Sequence, residues 1–157
     1  MSEKTGAFDC ALRVLTRRDH SEEELRRKLR AKGYPDKDID EVVARLTRLG
    51  YLDDSRFART WAESAIRNGR GYGPRLRLEL TRRGISAENM IEVLEELGEA
   101  YDESETLAAL LERKFAGFMP GSATEKEKRR VIGYLQRRGF SLGVIFNHIR
   151  NAQDREE

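Results

Sequence analysis

The chain lacks most of what catalytic and membrane proteins need. Cys10 is its only cysteine, so neither an internal disulfide nor a thiolate metal site can form. Cys10 lies in an apolar run and is expected to be a small core residue. Of the two histidines, His20 is expected in a loop. His148 has no second ligand at metal spacing, and no metal or other cofactor is expected. No run is long or apolar enough to span a membrane. The start, Met1 to Thr5, lacks the apolar core of a signal peptide, so a cytosolic protein is expected. There is no Ser-His-Asp or Cys-His set and no dense carboxylate site, and Asp53 and Asp54, adjacent in sequence, do not face each other on a helix. An enzyme is not expected.

Strand signals are nearly absent as well, while helix signals are dense. Hydrophobic residues make up 38% of the 157 and charged residues 37%, which suits thin helical layers with much exposed surface. Ser21 with Glu24, Asp102 with Glu105 and Thr124 with Glu127 fit capping patterns. Asp36, Asp53, Ser86 and Ser141 are further caps. Gly33, Gly50, Gly69, Gly84, Gly98, Gly117 and Gly139 stand where helices should stop. The spacing predicts nine helices, at about 6–17, 21–32, 36–49, 53–69, 74–83, 86–98, 102–117, 124–138 and 141–152.

One phrase recurs three times: Leu25, Leu29, Gly33, Tyr34; Leu76, Leu80, Gly84, Ile85; Val131, Leu135, Gly139, Phe140. Six residues past each glycine stands Ile39, Met90 or Ile145, and ten past stands Val43, Leu94 or Ile149. Such self-similarity marks a repeat architecture. The expected fold is all-α: three tandem three-helix units, 6–50, 51–98 and 99–152, forming an elongated, curved helical-repeat rod. The leucine pairs share one helix face, and the glycine makes the turn after it.

Lys plus Arg is 30 and Asp plus Glu 28, so net charge decides little. Distribution says more. Nine acidic residues and no Lys or Arg fall between Gly84 and Glu112, between a basic start and a basic end. Two readings stand: solvated helix faces, or separate patches for a partner that carries charge. Basic residues crowd the middle unit at Arg56, Arg59, Arg67, Arg70, Arg75, Arg77, Arg82 and Arg83; Arg30 and Lys32 end the matching helix of the first unit, and Arg137 and Arg138 that of the third. They are candidates for contacts with carboxylates or phosphates. Cations at helix C-termini also offset the helix dipole. The loop with Gly69, Gly71 and Gly73 reads as flexible enough to close on a partner. It lacks the Lys-Ser/Thr ending of a nucleotide loop, which rejects nucleotide binding.

From Gly50 to Ile85 the sequence reads GYLDDSRFARTWAESAIRNGRGYGPRLRLELTRRGI. This resembles the signature of the RecX family through Gly50-Tyr51-Leu52-Asp53-Asp54, Arg56-Phe57-Ala58, Trp61, Gly73-Pro74, Arg75-Leu76, Glu79-Leu80 and Arg83-Gly84-Ile85. The first unit resembles it too, through Ser21-Glu22-Glu23-Glu24-Leu25 and Lys32-Gly33-Tyr34. One departure is that Arg75 follows Pro74 directly, where the family pattern has one residue between. The resemblance implies a monomeric regulator that binds the RecA recombinase filament on DNA, restraining ATP hydrolysis, strand exchange and SOS co-protease activity. Single- or double-stranded DNA is a further possible partner, and a stand-alone nucleic-acid-binding protein is the alternative. Read physically, the signature is structural. Tyr51 and Leu52 seal a turn, Asp53 caps the fourth helix, Asp54 sits at its positive end, and Phe57 and Trp61 anchor the middle core.

Overall fold

The computed structural model describes residues 2–157, with side chains from Gly6 onward. The described residues form nine helices and no strand: α1 Ser2–Arg17, α2 Glu22–Ala31, α3 Asp36–Arg48, α4 Asp54–Arg67, α5 Pro74–Arg82, α6 Ala87–Ala100, α7 Glu103–Lys114, α8 Glu125–Arg137 and α9 Leu142–Glu156. Starts follow the caps. Ser21 and Thr124 form complete capping boxes with Glu24 and Glu127. The Asp53 carboxylate accepts from the Arg56 N–H at 3.0 Å, and Asp102 accepts from Glu105 N–H at 2.9 Å. Asp36 is not a cap. Pro35 precedes α3 with no side-chain bond, and Asp36 instead receives the Arg30 Nε–H at 3.2 Å.

Two expected stops fail for a common reason. Gly98 and Gly117 do not adopt positive φ, unlike Gly33, Gly50, Gly69, Gly73, Gly84 and Gly139. Helix α6 therefore runs through Gly98 to Ala100. Helix α7 ends earlier than expected, because Phe115 leaves helical geometry at φ −131, ψ 50. Helix α9 continues past residue 152 to Glu156.

The threefold phrase is the internal frame. Leu25, Leu29, Leu76, Leu80, Val131 and Leu135 are all buried, as are Ile39, Met90 and Ile145. After each leucine pair the same turn closes the helix. The Gly N–H bonds back to Arg30, Thr81 or Gln136, while the next N–H reaches Leu29, Leu80 or Leu135 at 3.1–3.2 Å. This is the Schellman arrangement, whose glycine must take a left-handed φ.

By proximity the described chain falls into two compact units: Met1–Thr60 with Glu79–Val93, and Trp61–Leu78 with Leu94–Glu157. Each contains one copy of a joint that the repeat pattern alone does not reveal. In the first unit, Ser21 Oγ–H donates to Arg83 C=O at 2.5 Å while accepting the Glu24 N–H, and Arg27 donates to Arg82 C=O at 3.1 Å. Gly84 lies so close to Glu23 that a Cβ would collide with that side chain. In the second unit, Tyr72 N–H donates to Arg138 C=O at 2.8 Å. A Cβ on Gly139 would strike the Tyr72 carbonyl oxygen and come within 3.0 Å of Arg75 N. In both, the glycine turn of one repeat seats on the start of the second helix of the repeat before it.

His20 is 3% exposed. Its Nδ1 lies 3.0 Å from Arg18 C=O, so Nδ1–H donates, and Nε2 is buried with no partner among the described residues. Burial chiefly, with the charges of Arg18 and Lys28, holds the imidazole pKa below its ordinary value, against the opposing effect of the bond to Arg18 C=O. The unfolded chain therefore binds a proton that the folded chain refuses. Stability is fully present above the unfolded value of about 6.5 and falls as pH drops through it. His148, also depressed by burial, acts in the same direction. The urea midpoint is expected to fall from pH 7.5 to pH 5.5, and His20→Gln to flatten that slope; an unchanged slope in the variant would remove His20 from the account.

Candidate partner-binding surface

The structure divides the candidate arginines. Arg56, Arg59, Arg82 and Arg83 belong to the first compact unit, and Arg67, Arg70, Arg75, Arg77, Arg137 and Arg138 to the second. Several serve the fold. Arg56 is exposed but donates to Gly50 C=O at 3.2 Å, at the end of α3. Arg83 is half-buried and pairs with Glu79 at 2.9 Å, and its own carbonyl takes the Ser21 hydroxyl. Arg138 lies 4.9 Å from the Tyr134 ring centroid and donates to Arg70 C=O at 3.3 Å. Arg67 spans Tyr101 Oη at 2.8 Å and Glu63 at 2.8 Å. The Tyr101 bond first, then the Glu63 charge, raises its pKa further. Arg59 and Arg75 are half-buried. Arg77, Arg82 and Arg137 expose their side chains, Arg82 while touching Glu79 at 3.3 Å. The basic residue directly before Gly84 and Gly139 is thus part of a joint, and the one two before it faces solvent.

The structure brings Arg70, Arg75 and Arg138 together around the loop at 69–74, and it corrects the reading of that loop as flexible. Gly69 and Gly71 are buried. Gly69 has φ +67, and a Cβ there would strike Arg113 and press on Leu110. The Tyr72 ring stacks on Phe140 with centroids 5.4 Å apart and planes 8° off parallel, and its hydroxyl donates to Tyr101 C=O at 2.6 Å. These glycines allow close approach rather than motion.

The signature residues are redistributed. Leu52 is buried at 3% exposure, but the Tyr51 side chain is 54% exposed, and Tyr51 closes the turn after α3 only through its N–H to Leu46 C=O at 2.9 Å. Phe57 is buried, whereas Trp61 is half-buried, with the Arg70 guanidinium 6.0 Å from its ring centroid. Pro74 opens α5 directly after Gly73 at φ +49. The two aspartates cap different helices. Asp53 caps α4, and half-buried Asp54 accepts from Glu22 N–H at 2.8 Å, at the start of α2. Burial raises the Asp54 pKa against that bond. Sequence spacing could not show this second role, because Glu22 and Asp54 meet only in the fold.

The fold also gathers a cluster of which the sequence singles out only Lys32. Arg13, Val14, Arg17, Lys28 and Lys32 line a cleft between α1 and α2 with Cys10 at its base. The signal was present as two basic pairs at i, i+4 spacing, which place each pair on one helix face. Among the described residues no group of three or more His, Cys, Asp or Glu could hold a metal ion, and no helix is long and apolar enough to cross a membrane.

Comparison with known proteins follows the repeat. Family models for the first, second and third three-helix domains of RecX match residues 7–46, 53–94 and 101–149. The chain is 44% identical to the regulatory protein RecX of Trichlorobacter lovleyi, over 92% of this chain and 94% of that one. It is 35% identical to the regulatory protein RecX of Syntrophotalea carbinolica, over 94% and 97%. The crystal structure of RecX from Lactobacillus salivarius superposes with a TM-score of 0.72 at 18% identity, covering 98% of this chain and 97% of that one. A second RecX crystal structure gives 0.76 at 18% identity, covering 95% and 73%. At that identity the two structures speak for the fold.

Proposed function

Because the chain belongs to the RecX family of regulatory proteins, we propose that it binds the RecA recombinase filament on DNA and restrains it, lowering ATP hydrolysis, strand exchange and SOS co-protease activity. The observation that carries this reading is that the family correspondence runs through all three three-helix units. Repeated units present equivalent side chains at intervals, which suits a polymer of identical subunits. Arg77, Arg82 and Arg137 are exposed, and we assign them to recombinase carboxylates or DNA phosphates. Arg83 and Arg138 are assigned to the joints.

The test adds the protein to recombinase on single-stranded DNA and follows ATPase rate and filament length. Both are expected to fall. No effect on either would overturn the proposal. Affinity for bare single strand, bare duplex and recombinase-coated DNA at one fixed salt concentration separates the alternative: equal affinity for all three would favour a stand-alone nucleic-acid binder. Arg82→Glu with Arg137→Glu is expected to weaken inhibition by about tenfold or more with little change in thermal midpoint. Unchanged inhibition would move the contact elsewhere.

A further inference from the structure

The cleft between α1 and α2 is an unassigned site with a defined chemistry. Its volume is about 350 Å³, at the small end of the range for ligand sites. Arg13 and Arg17 rim it from α1, and Lys28 of α2 with Lys32, the residue that caps its C-terminus, rim it from the other side, all four exposed. The floor is apolar: buried Cys10, half-buried Val14 and the methyl of Ala31.

The rim cations stand out against their neighbours. Every arginine of α2 has a carboxylate partner. Arg26 holds Glu22 at 3.1 Å and Asp40 at 2.6 Å, Arg27 holds Glu23 at 3.3 Å, and Arg30 holds Asp36 at 3.2 Å. None of the four rim cations has an ion pair among the described residues. One face of α2 is thus neutralised by the fold while the other is left positive, around a concave apolar floor.

We propose that this cleft binds an acidic, amphipathic helical segment of a protein partner. An apolar side chain would seat on the Cys10–Val14 floor, and flanking carboxylates would pair with the rim. A helix carrying apolar anchors and acids at i, i+3 and i+4 meets both requirements in one element. Charge complementarity calls for an anionic partner, and the apolar floor favours this occupant over a nucleic-acid strand. No aromatic ring lines the cleft for base stacking. Both helices bring their C-terminal halves to it, so a phosphate gains no helix N-terminal amides. Its oxygens would also lie against apolar atoms, where desolvation is unfavourable.

The site stands on the first repeat alone and does not depend on the recombinase proposal. Its test uses the full-length protein without recombinase or nucleotide. A fluorescein-labelled peptide of repeated Glu-Glu-Leu pattern is titrated by anisotropy at one near-physiological salt concentration. Parallel arms use the peptide with Gln for Glu, the peptide with Ser for Leu, and labelled oligo(dT). The acidic apolar peptide is expected to bind, with both analogues weaker by about tenfold or more. Lys28→Gln with Lys32→Gln is expected to reduce binding by a similar factor at unchanged thermal midpoint, and Arg129→Gln to leave it alone. Arg13→Gln with Arg17→Gln approaches the cleft from the other helix, so a folding defect in one double variant leaves the test standing. Peptide affinity unchanged in a folded double variant would overturn the proposal. So would tighter binding of oligo(dT) than of the peptide, lost in the same variant, which would make the cleft a nucleic-acid site.

Discussion

Gly139→Ala is expected to cost about 3–5 kcal/mol of folding stability, Gly84→Ala about 2–4, and Gly33→Ala only about 1. The three glycines occupy the same place in the threefold phrase and share positive φ, at 100°, 80° and 91°. If each served only to end its helix, three equal losses of about 1 kcal/mol would follow. The surroundings differ, however. Nothing lies within 4 Å of a Cβ at Gly33. At Gly84 the added carbon meets Glu23 Cβ and, at 2.8 Å, Cγ, close to the backbone of α2. At Gly139 it meets the Tyr72 carbonyl oxygen, with Arg75 Cβ at 2.8 Å. A side-chain tip can swing away, but the Tyr72 carbonyl, which already accepts the Arg75 N–H at 3.2 Å, cannot move without opening the turn into α5. Urea or thermal midpoints of the three variants decide the matter. Equal shifts would mean that the turns do not seat on the preceding repeat.

The helices and the repeat were legible because both depend on local rules. Capping boxes at Ser21 and Thr124 act over three residues, and the leucine pairs need only helical periodicity. Gly98 and Gly117 misled because glycine permits a left-handed turn without requiring one; only hydrogen bonding and neighbours decide. The joints were not legible. Ser21 with Arg83 and Tyr72 with Arg138 are each more than sixty residues apart, and one of the two bonds uses a backbone amide that any residue would supply. The same limit applied to the candidate surface. Composition picked out arginines but could not separate Arg82 and Arg137, which face solvent, from Arg83 and Arg138, which hold the joints. Sequence marks Lys32 only as a helix-end cation and cannot show that the fold sets it with Arg13, Arg17 and Lys28 around one cleft. Trp61 reads as a core anchor because it is large and apolar, yet it is only half-buried, and Tyr51 is exposed.

Tyr72→Ala is expected to cost about 2–4 kcal/mol, and Tyr72→Phe about 1–2. The alanine variant loses the stack on Phe140 and the hydroxyl bond to Tyr101 C=O, while the phenylalanine variant loses the bond alone. Burial, reinforced by Glu103 and Asp102, raises the Tyr72 pKa, so the hydroxyl remains a donor through the neutral range. A double-mutant cycle with Phe140→Ala should return about 0.5–1.5 kcal/mol of coupling for the ring pair. Negligible loss in Tyr72→Ala would restore the loop as a mobile element. The result bears directly on function. Arg70 lies in this loop, Arg75 follows it, and Arg138 donates to the Arg70 carbonyl. Substituting any of the three can weaken regulation merely by loosening the second unit. Only when Tyr72→Ala has set the size of that indirect effect does a larger loss from Arg70 or Arg75 count as a lost partner contact.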